Sequence, residues 1–536
     1  MVKRKRAHEA TKSSEITNGH AAKKSPKLDD VPTGQSNTSK AVSNGHKGLT
    51  NGNHGVAQDQ HALSKQATIT TAKPAKQAPS KIAKTENHID VKTITPTVQI
   101  IAGSYERVLH GITATLHLSE DTFTAKYSDS FLFNAHASAV RCLALSPMPE
   151  DSTQGVYLAT GGSDERINIY SLSPSPLPDA DSKGRKMPSM PSLGPNQISE
   201  NPMNRELGTL VQHSSSITAL HFPSRSKLLS ASEDNTISVT RVRDLNVVSS
   251  IKAPKPKAPG QASGDTSAMS ILPSGVNDFA IHPSMKLMVS VGRGEKCMRL
   301  WNLVTGKKAG VLNFDRKILQ AVKESKHSHG EGRKIVWNKD GTEFAVSFER
   351  GVVVFGQDSK AKCICLPQPL TKVHQIRYFS IDTDREFLAI STENGSIIVY
   401  SIDQKTSTTS TNDKEISTPT PIAHTGGKQM AITNRIKDFQ ILDLTPHDLE
   451  AQLLTIACSD GTIKLIVIQN SELPKNAQQV NSFIGRASTD TYSTGSRITC
   501  LQSFIMLPPH DIEGGLSEAE SALDSGADSE DSSDED

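Results

Sequence analysis

Between residues 97 and 507 the chain alternates short apolar runs, polar turns and segments in which every second residue is apolar. The stretch "GGSDERINIY" (161–170) is typical, and a tight polar turn before an alternating segment predicts a β-hairpin. The same ten-residue register fits six other segments: "AGSYERVLHG" (102–111), "ASEDNTISVT" (231–240), "GRGEKCMRLW" (292–301), "VSFERGVVVF" (346–355), "STENGSIIVY" (391–400) and "ACSDGTIKLI" (457–466). Recurrence of one hairpin along the whole segment predicts a repeat architecture.

A further strand pattern, as in "AVRCLALSP" (139–147), also occurs seven times. Six copies precede a hairpin, but the hairpin at 102–111 has none before it, and "RITCLQSFI" (497–505) has no hairpin after it. A ring in which the last strand completes the first blade accounts for both, and it removes exposed sheet edges. With a fourth strand in each unit, the pattern predicts an all-β fold, a seven-bladed β-propeller spanning residues 97–507.

The segments on either side of the predicted propeller differ from it in composition and charge. Residues 1–96 carry sixteen Lys and Arg against seven Asp and Glu, whereas residues 511–536 carry eleven acidic residues and no basic one. Both segments are poor in aliphatic residues, so neither buries enough apolar surface to offset the entropy of ordering. The sequence therefore predicts a disordered basic tail (1–96) and a disordered acidic tail (508–536).

The repeat resembles the WD-repeat family, in which His, Ser or Thr, Asp and Trp form a hydrogen-bonded chain inside each blade. The match is "His…Asp…Tyr" in the second blade, "His…Asp" in the third, and "RLWNL" in the fourth. The resemblance implies a structural network made of His136, Asp164, Tyr170, His213, Asp234, Trp301 and Asp460. These residues are expected to stabilise the blades rather than to catalyse a reaction.

A more specific resemblance rests on "IIAGSYERVLHG" (100–111), "FLFNAHASAVRCLAL" (131–145), "LMVSVGRGEKCMRLWNLVTGKKA" (287–309) and "RITCLQSF" (497–504). These blocks are similar to a WD-repeat family that contains the fungal killer-maintenance ribosome-assembly factor and its animal relative, the PAK-interacting protein. The resemblance covers roughly residues 98–506. It implies a nuclear and nucleolar factor for assembly of the large ribosomal subunit and maturation of its rRNA, with a relative that restrains a p21-activated kinase.

Basic residues cluster in two predicted inter-blade loops, 252–257 and 316–334. The loops join neighbouring pairs of blades, so both are expected on one face of the ring and outside the blades. The candidate partner-binding residues are Lys255, Lys257, Arg316, Lys317, Arg333 and Lys334. Such a group can contact rRNA phosphates or an acidic protein, and the alternative is a pair of loops that serve solubility alone.

Two basic clusters near the start of the chain resemble a two-part nuclear import signal. They consist of Lys3, Arg4, Lys5, Arg6, Lys23, Lys24 and Lys27. An import receptor is the expected partner, and the alternative is a basic tail that binds nucleic acid without specificity.

Motifs of catalysis or cofactor binding are missing from the sequence. It has no GxxxxGK[ST], no HExxH and no GxSxG in a strand–turn–helix setting, so neither an enzyme nor a cofactor is expected. The pairs Cys363/Cys365 and His327/His329 have no second pair at zinc spacing, so no metal is expected. We also expect no membrane span, no secretory signal and no small-molecule substrate.

Two classes of function remain. The first is a non-catalytic nucleolar scaffold for assembly of the large ribosomal subunit, with pre-ribosomal proteins and rRNA as partners. The alternative is a signalling adaptor that binds and negatively regulates a p21-activated protein kinase. The basic N-terminal segment favours the first.

Overall fold

The computed structural model describes residues 95–119, 122–150, 153–176, 201, 203–256, 274–325, 328–382, 385–402, 416–473 and 481–508. In these residues the chain forms seven antiparallel sheets, each of which is one blade of a β-propeller. The predicted fold class is thus confirmed. Both predicted tails lie outside the described residues, so their disorder and the domain boundaries stay predictions.

Each blade has four main strands, and its first strand lies innermost. Blade 1 contains β1 (Thr97–Ser104), β2 (Val108–Leu118) and β3 (Phe123–Asn134). Blade 2 consists of β4 (Val140–Leu145), β5 (Val156–Gly162), β6 (Ile167–Leu172) and β7 (Arg205–Leu210). Blade 3 consists of β8 (Ile217–Ser224), β9 (Lys227–Ser232), β10 (Thr236–Arg241) and β11 (Asn246–Lys252). Blades 4 and 5 consist of β12 (Val276–Ile281), β13 (Leu287–Gly292), β14 (Cys297–Asn302) and β15 (Lys307–Asn313), and of β16 (Lys334–Trp337), β17 (Glu343–Ser347), β18 (Val352–Gly356) and β19 (Ala361–Cys365). Blades 6 and 7 consist of β20 (Val373–Ser380), β21 (Glu386–Thr392), β22 (Ser396–Ser401) and β23 (Ala423–Gly426), and of β24 (Ile436–Asp443), β25 (Ala451–Cys458) and β26 (Thr462–Gln469) with the short β28 (Arg486–Ala487) and β29 (Tyr492–Ser493). Two further strands are β27 (Ser482–Phe483), which extends blade 6, and β30 (Ile498–Ile505).

The ring closes through β30, which supplies the inner strand of blade 1. It pairs antiparallel with β1, from Val98 opposite Ile505 to Ser104 opposite Ile498. The predicted closure is therefore confirmed. The first blade is assembled from the two ends of the propeller segment.

The apolar core lies between neighbouring blades, as the alternating pattern requires. One cluster joins blade 1 to blade 7 through side chains such as Ile100, Ile112, Leu465 and Leu501. A second cluster joins blade 1 to blade 2. Because each blade buries its faces against two neighbours, removal of one strand exposes residues in more than one blade.

Long connections on the outer side tie successive blades together. Ser417, in the connection between β22 and β23 of blade 6, accepts a hydrogen bond from the Ile364 N–H of blade 5 at 2.9 Å. From blade 7, β27 pairs parallel to β23 of blade 6, and the Tyr492 hydroxyl hydrogen-bonds to Asp129 of blade 1. The outer strands of these blades are thus partly covered by neighbouring connections.

Helices are short in the described part of the chain, where none is long and apolar enough to cross a membrane. Two 3₁₀ helices span Gly427–Met430 and Thr445–His447. The helix α1 (Arg316–Ala321) lies between blades 4 and 5, where the sequence predicted an open loop. It forms because Ile318 and Val322 are buried against Phe314 and Phe348, so this connection is part of the core.

The ring has two faces, defined by the direction of the inner strands. The face at which these strands begin is called the upper face. It carries the connections between blades and the turns between the second and third strands. The turns between the first and second strands, and those between the third and fourth strands, lie at the opposite face.

Candidate functional site

In blade 2 the structural network that the resemblance implies is a set of buried hydrogen bonds. The His136 ring bonds to the Thr160 hydroxyl at 2.8 Å and to the Asp164 carboxylate at 3.0 Å. Burial lowers the pKa of His136, opposed by Asp164, so the ring is neutral near pH 7. Tyr170 is buried beside Thr160 and Asn168, and burial raises its pKa to about 12. Tyr170 therefore lies where the family has Trp, and this network fixes the blade.

Blade 3 repeats the arrangement without an aromatic residue. His213 bonds to the Ser230 hydroxyl at 2.8 Å and to Asp234 at 3.1 Å. Burial alone would raise the pKa of Asp234, but hydrogen bonds from His213 and Thr236 lower it below its ordinary value. The carboxylate is thus held charged as an acceptor.

The other two implied network residues are placed in partial versions of the same chain. The Trp301 indole N–H of blade 4 donates to the Ser290 hydroxyl at 2.8 Å. In blade 7 the Asp460 carboxylate accepts from the Asn434 side chain at 2.7 Å and from the Thr462 backbone N–H. Each contact lies inside one blade and explains its residue structurally.

Three of the candidate partner-binding residues are exposed on the upper face. Lys255 follows blade 3, while Arg316 and Lys317 are the first residues of α1. Since buried Ile318 and Val322 anchor α1, the two α1 side chains project from a fixed element. Lys257 lies outside the described residues.

Of the last two candidates, Lys334 differs from the prediction, which placed it in a loop outside the blades. Lys334 is instead the first residue of the inner strand β16, and its ammonium lies 3.8 Å from the Asp278 carboxylate. Burial raises the pKa of Asp278, opposed by Lys334, so loss of Lys334 leaves a buried acid without its cation. Arg333 lies 3.9 Å from Glu349, which also binds Lys372 at 3.1 Å. Lys334 therefore has a role inside the ring, whereas Arg333 is an exposed residue of the connection before β16.

Bulges at the upper ends of the inner strands turn one or two residues out of the pairing register. The bulged residue is Arg141 in β4, Lys437 in β24 and Thr499 in β30, since the register skips it in each case. A bulge bends the strand and redirects a side chain. Here three neighbouring blades turn their bulged residues toward one recess.

The recess has a volume of about 690 Å³ and lies where blades 7, 1 and 2 meet the upper end of the central channel. Its lining residues are Tyr105, Arg107, Ala137, Ser138, Ala139, Arg141, Ser163, Lys437 and Thr499. Three of them are cations and none is an acid. A recess of this size falls in the range of ligand pockets.

Comparison with known families identifies the repeat. The family described as "WD domain, G-beta repeat" matches residues 128–171 and 204–240, which lie in blades 1 to 3. The chain contains WD repeats. Protein MAK11 of Saccharomyces cerevisiae is 26% identical to it over 432 residues, covering 75% of this chain and 82% of the relative.

Other relatives of this WD-repeat protein are named for kinase interactions. The p21-activated protein kinase-interacting protein 1-like of Gallus gallus is 26% identical over 405 residues, covering 75% of this chain and 79% of the relative. The Shk1 kinase-binding protein 15 of Schizosaccharomyces pombe is 23% identical over 271 residues, covering 51% of this chain and 61% of the relative. The resemblance inferred from the sequence is confirmed, and a WD-repeat chain with such relatives is a scaffold or interaction protein.

The fold and the described side chains favour interaction over chemistry. WD-repeat propellers are typically not enzymes. Within the described residues no group of three or more His, Cys, Asp or Glu is placed to hold a metal ion. Cys363 and Cys365 are buried in β19, and a hydrogen bond with Cys363, together with burial, raises the pKa of Cys365.

Sequence reasoning missed Arg107, Arg141 and Lys437 as members of one site. A signal for two of them was present, because the second position of most inner-strand segments is polar: Arg141, Thr218, Asn277, His374, Lys437 and Thr499. The predicted import residues Lys3–Arg6, Lys23, Lys24 and Lys27 lie outside the described residues and stay predictions.

Proposed function

We propose that this WD-repeat protein is a nucleolar scaffold that docks on precursors of the large ribosomal subunit and promotes rRNA maturation. The observation that carries the proposal is its similarity to MAK11 over most of both chains, together with the ribosome-assembly role that the family resemblance implies. The basic N-terminal segment supports nuclear import. Pre-ribosomal proteins and rRNA are the proposed partners.

The exposed cations Lys255, Arg316 and Lys317 are the proposed docking residues for these precursors. They lie on neighbouring inter-blade connections of one rigid ring. Fixed charges lose less entropy on binding than charges on a disordered segment do. If they contact rRNA phosphates, association weakens steeply with salt because each contact releases counterions.

The test replaces these three cations by Ser and leaves Arg333 and Lys334 in place, since Arg333 lies beside Glu349 and Lys334 pairs with Asp278. The full chain is purified from cells, and co-purifying rRNA and proteins are measured. The matched control replaces Lys286, Lys307 and Lys308, three exposed lysines of blade 4 on the opposite face. Association lost in the first variant and kept in the control supports the proposal, whereas equal association in both removes these residues from the docking surface.

The second candidate is a kinase-binding adaptor, favoured by the printed names of the kinase-interacting relatives. The same purification distinguishes the two functions. Recovery of a p21-activated kinase without ribosomal precursors supports the adaptor. Recovery of precursor rRNA and large-subunit proteins supports the scaffold.

A further inference from the structure

Two of the bulged residues that line the recess at the upper end of the channel differ from the bulged residues of other blades. The bulged Thr218, Asn277 and Thr499 donate side-chain hydrogen bonds to backbone carbonyls of the next blade, at 2.6, 2.9 and 2.6 Å. A short polar side chain at this bulge therefore links adjacent blades. Arg141 and Lys437 replace that link with long cations that line an open recess.

Arg107 reaches the recess from the turn between β1 and β2, in a backbone conformation that residues other than Gly and Asn rarely adopt. Its φ is +75°, in the left-handed region. The residue at the corresponding position of the turn is also left-handed in blades 2, 3, 6 and 7, where it is Glu165, Asn235, Gly395 or Gly461. Asn and Gly tolerate this conformation, whereas for other residues it costs roughly 1–2 kcal/mol. Arg107 thus supplies a cation to the recess from a strained backbone conformation, which Glu165 shares at the same turn of blade 2.

The positive charge of the recess is not neutralised within it. In the described part of the chain, neither Arg107 nor Lys437 has an ion pair with a carboxylate. Arg141 lies 3.7 Å from Glu233, but that carboxylate binds Arg293 more closely, at 2.9 Å. Burial, together with Arg435 and Arg497, lowers the pKa of Lys437, and the carboxylate of Glu393 offsets this only in part.

From this geometry we propose that the recess binds an acidic peptide segment of a partner protein, with its carboxylates between Arg107, Arg141 and Lys437. The site is separate from the exposed cations of the docking surface and does not depend on the ribosomal proposal. The hydroxyl groups of Ser138 and Ser163 add neutral hydrogen-bonding groups to the lining. About 690 Å³ accommodates a few residues rather than a folded domain.

The charges around the recess favour a peptide over a nucleic acid. A nucleic acid strand is held by a basic groove that follows several successive phosphates. On this face the neighbouring turns carry Glu233 and Glu349, which neutralise the cations next to them. The cations next to these turns are thus paired, while Arg107, Arg141 and Lys437 converge on one small recess, which suits a short segment with two or three carboxylates.

The test uses a double variant whose substitutions come from other blades of the same ring. Arg107→Gly installs the residue that blades 6 and 7 have at this turn, and Lys437→Thr installs the residue that β8 and β30 have at the bulge. Both substitutions suit the local backbone, so the variant is expected to melt at the temperature of the wild-type chain or higher. The matched control is Lys286→Ser with Lys307→Ser, which removes the same charge from the opposite face.

Binding of a fluorescein-labelled hexaglutamate peptide is measured by fluorescence anisotropy at low salt, on the full chain. We expect the Kd to rise about tenfold in the double variant, equivalent to about 1.4 kcal/mol, and to stay unchanged in the control. Carbodiimide treatment of the wild-type complex should join a peptide carboxylate to the Lys437 amine, detected by mass spectrometry. Equal Kd values in wild type and double variant overturn the proposal.

Two further measurements separate the alternative occupants. A single-stranded RNA oligonucleotide that binds more tightly than the peptide, with the same dependence on Arg107 and Lys437, overturns the peptide assignment. A chain ending at Pro508 lacks residues 509–536, which contain the eleven acidic residues. If this chain binds the peptide more tightly than the full chain does, the occupant is the chain's own acidic segment, and the assignment of a partner protein as the occupant is overturned. Equal affinity supports the partner.

Discussion

Ring closure makes the stability of the propeller depend on its last strand. A chain that ends after Ser496 lacks β30, whereas a chain that ends after Pro508 keeps β30 and lacks only the acidic segment. The two truncations differ by twelve residues, so the comparison isolates the inner strand of blade 1. We expect the first chain to lose cooperative unfolding and the second to keep it.

The magnitude follows from the side chains that leave with β30. Ile498, Leu501, Phe504 and Met506 are at most 6% exposed. At roughly 1.5–3 kcal/mol for each buried large apolar side chain, their loss removes about 6–12 kcal/mol. A folded domain is stable by about 5–15 kcal/mol, so this loss is comparable with the whole. The unpaired edge of β1 adds a tendency to aggregate.

The assay follows thermal unfolding of both chains by near-ultraviolet circular dichroism and by the fluorescence of Trp301 and Trp337. The chain ending at Pro508 should melt as the full chain does, while the chain ending at Ser496 should show no cooperative melt or remain aggregated. A synthetic peptide of residues 497–508 should restore part of the transition. A cooperative melt of the shorter chain within about 2 °C of the control, a shift equivalent to about 1 kcal/mol or less, would refute the argument from closure.

Three further predictions concern single residues. His136→Ala should lower the free energy of unfolding in urea by about 1–3 kcal/mol, because Thr160 and Asp164 lose a buried partner, and an unchanged urea midpoint would contradict the network. Asp234 has a pKa below its ordinary value in the folded chain, so its contribution to stability is present above about pH 4 and is lost as the pH falls. Asp234→Asn should therefore flatten the acid limb of a curve of unfolding free energy against pH. An equally steep acid limb would contradict this contribution of Asp234. Burial, with nearby Lys437, Arg435 and Arg333, lowers the pKa of His374 to about 4. Between about pH 6.5 and 4 the unfolded chain therefore binds more protons than the folded chain, and the free energy of unfolding decreases as the pH is lowered. His374→Gln should make this slope shallower, and an unchanged slope would show that other groups cause it.

The blades could be predicted because local pairing sets the hairpin pattern. Apolar alternation around each turn places one face of every strand in the core, so "GGSDERINIY" and its counterparts identify the second and third strands without tertiary information. Closure was predictable for a related reason, since one unmatched hairpin and one unmatched strand leave two edges that only each other can pair.

The recess could not be predicted in the same way. Arg141 and Lys437 line it because their inner strands bulge at those residues, and a bulge depends on the register against the neighbouring strand. Helix α1 was missed because the mostly apolar stretch 318–322 is short and has charged residues on both sides, and packing on Phe314 stabilises so short a helix. Likewise, the role of Lys334 became clear only once Asp278 was placed beside it on the next blade.

The ring explains how new surface chemistry can arise without loss of the fold. Blades repeat the same bulge, and Thr or Asn there strengthens the contact between neighbours. Because core packing between blades carries most of the stability, one or two bulges can lose this link and carry cations instead. Since the bulges of successive blades open toward the same channel, two such changes in blades 2 and 7, on either side of blade 1, converge on one recess. The position of Arg141 and Lys437 on either side of the closure strand β30 therefore links the site to the strand on which the ring depends.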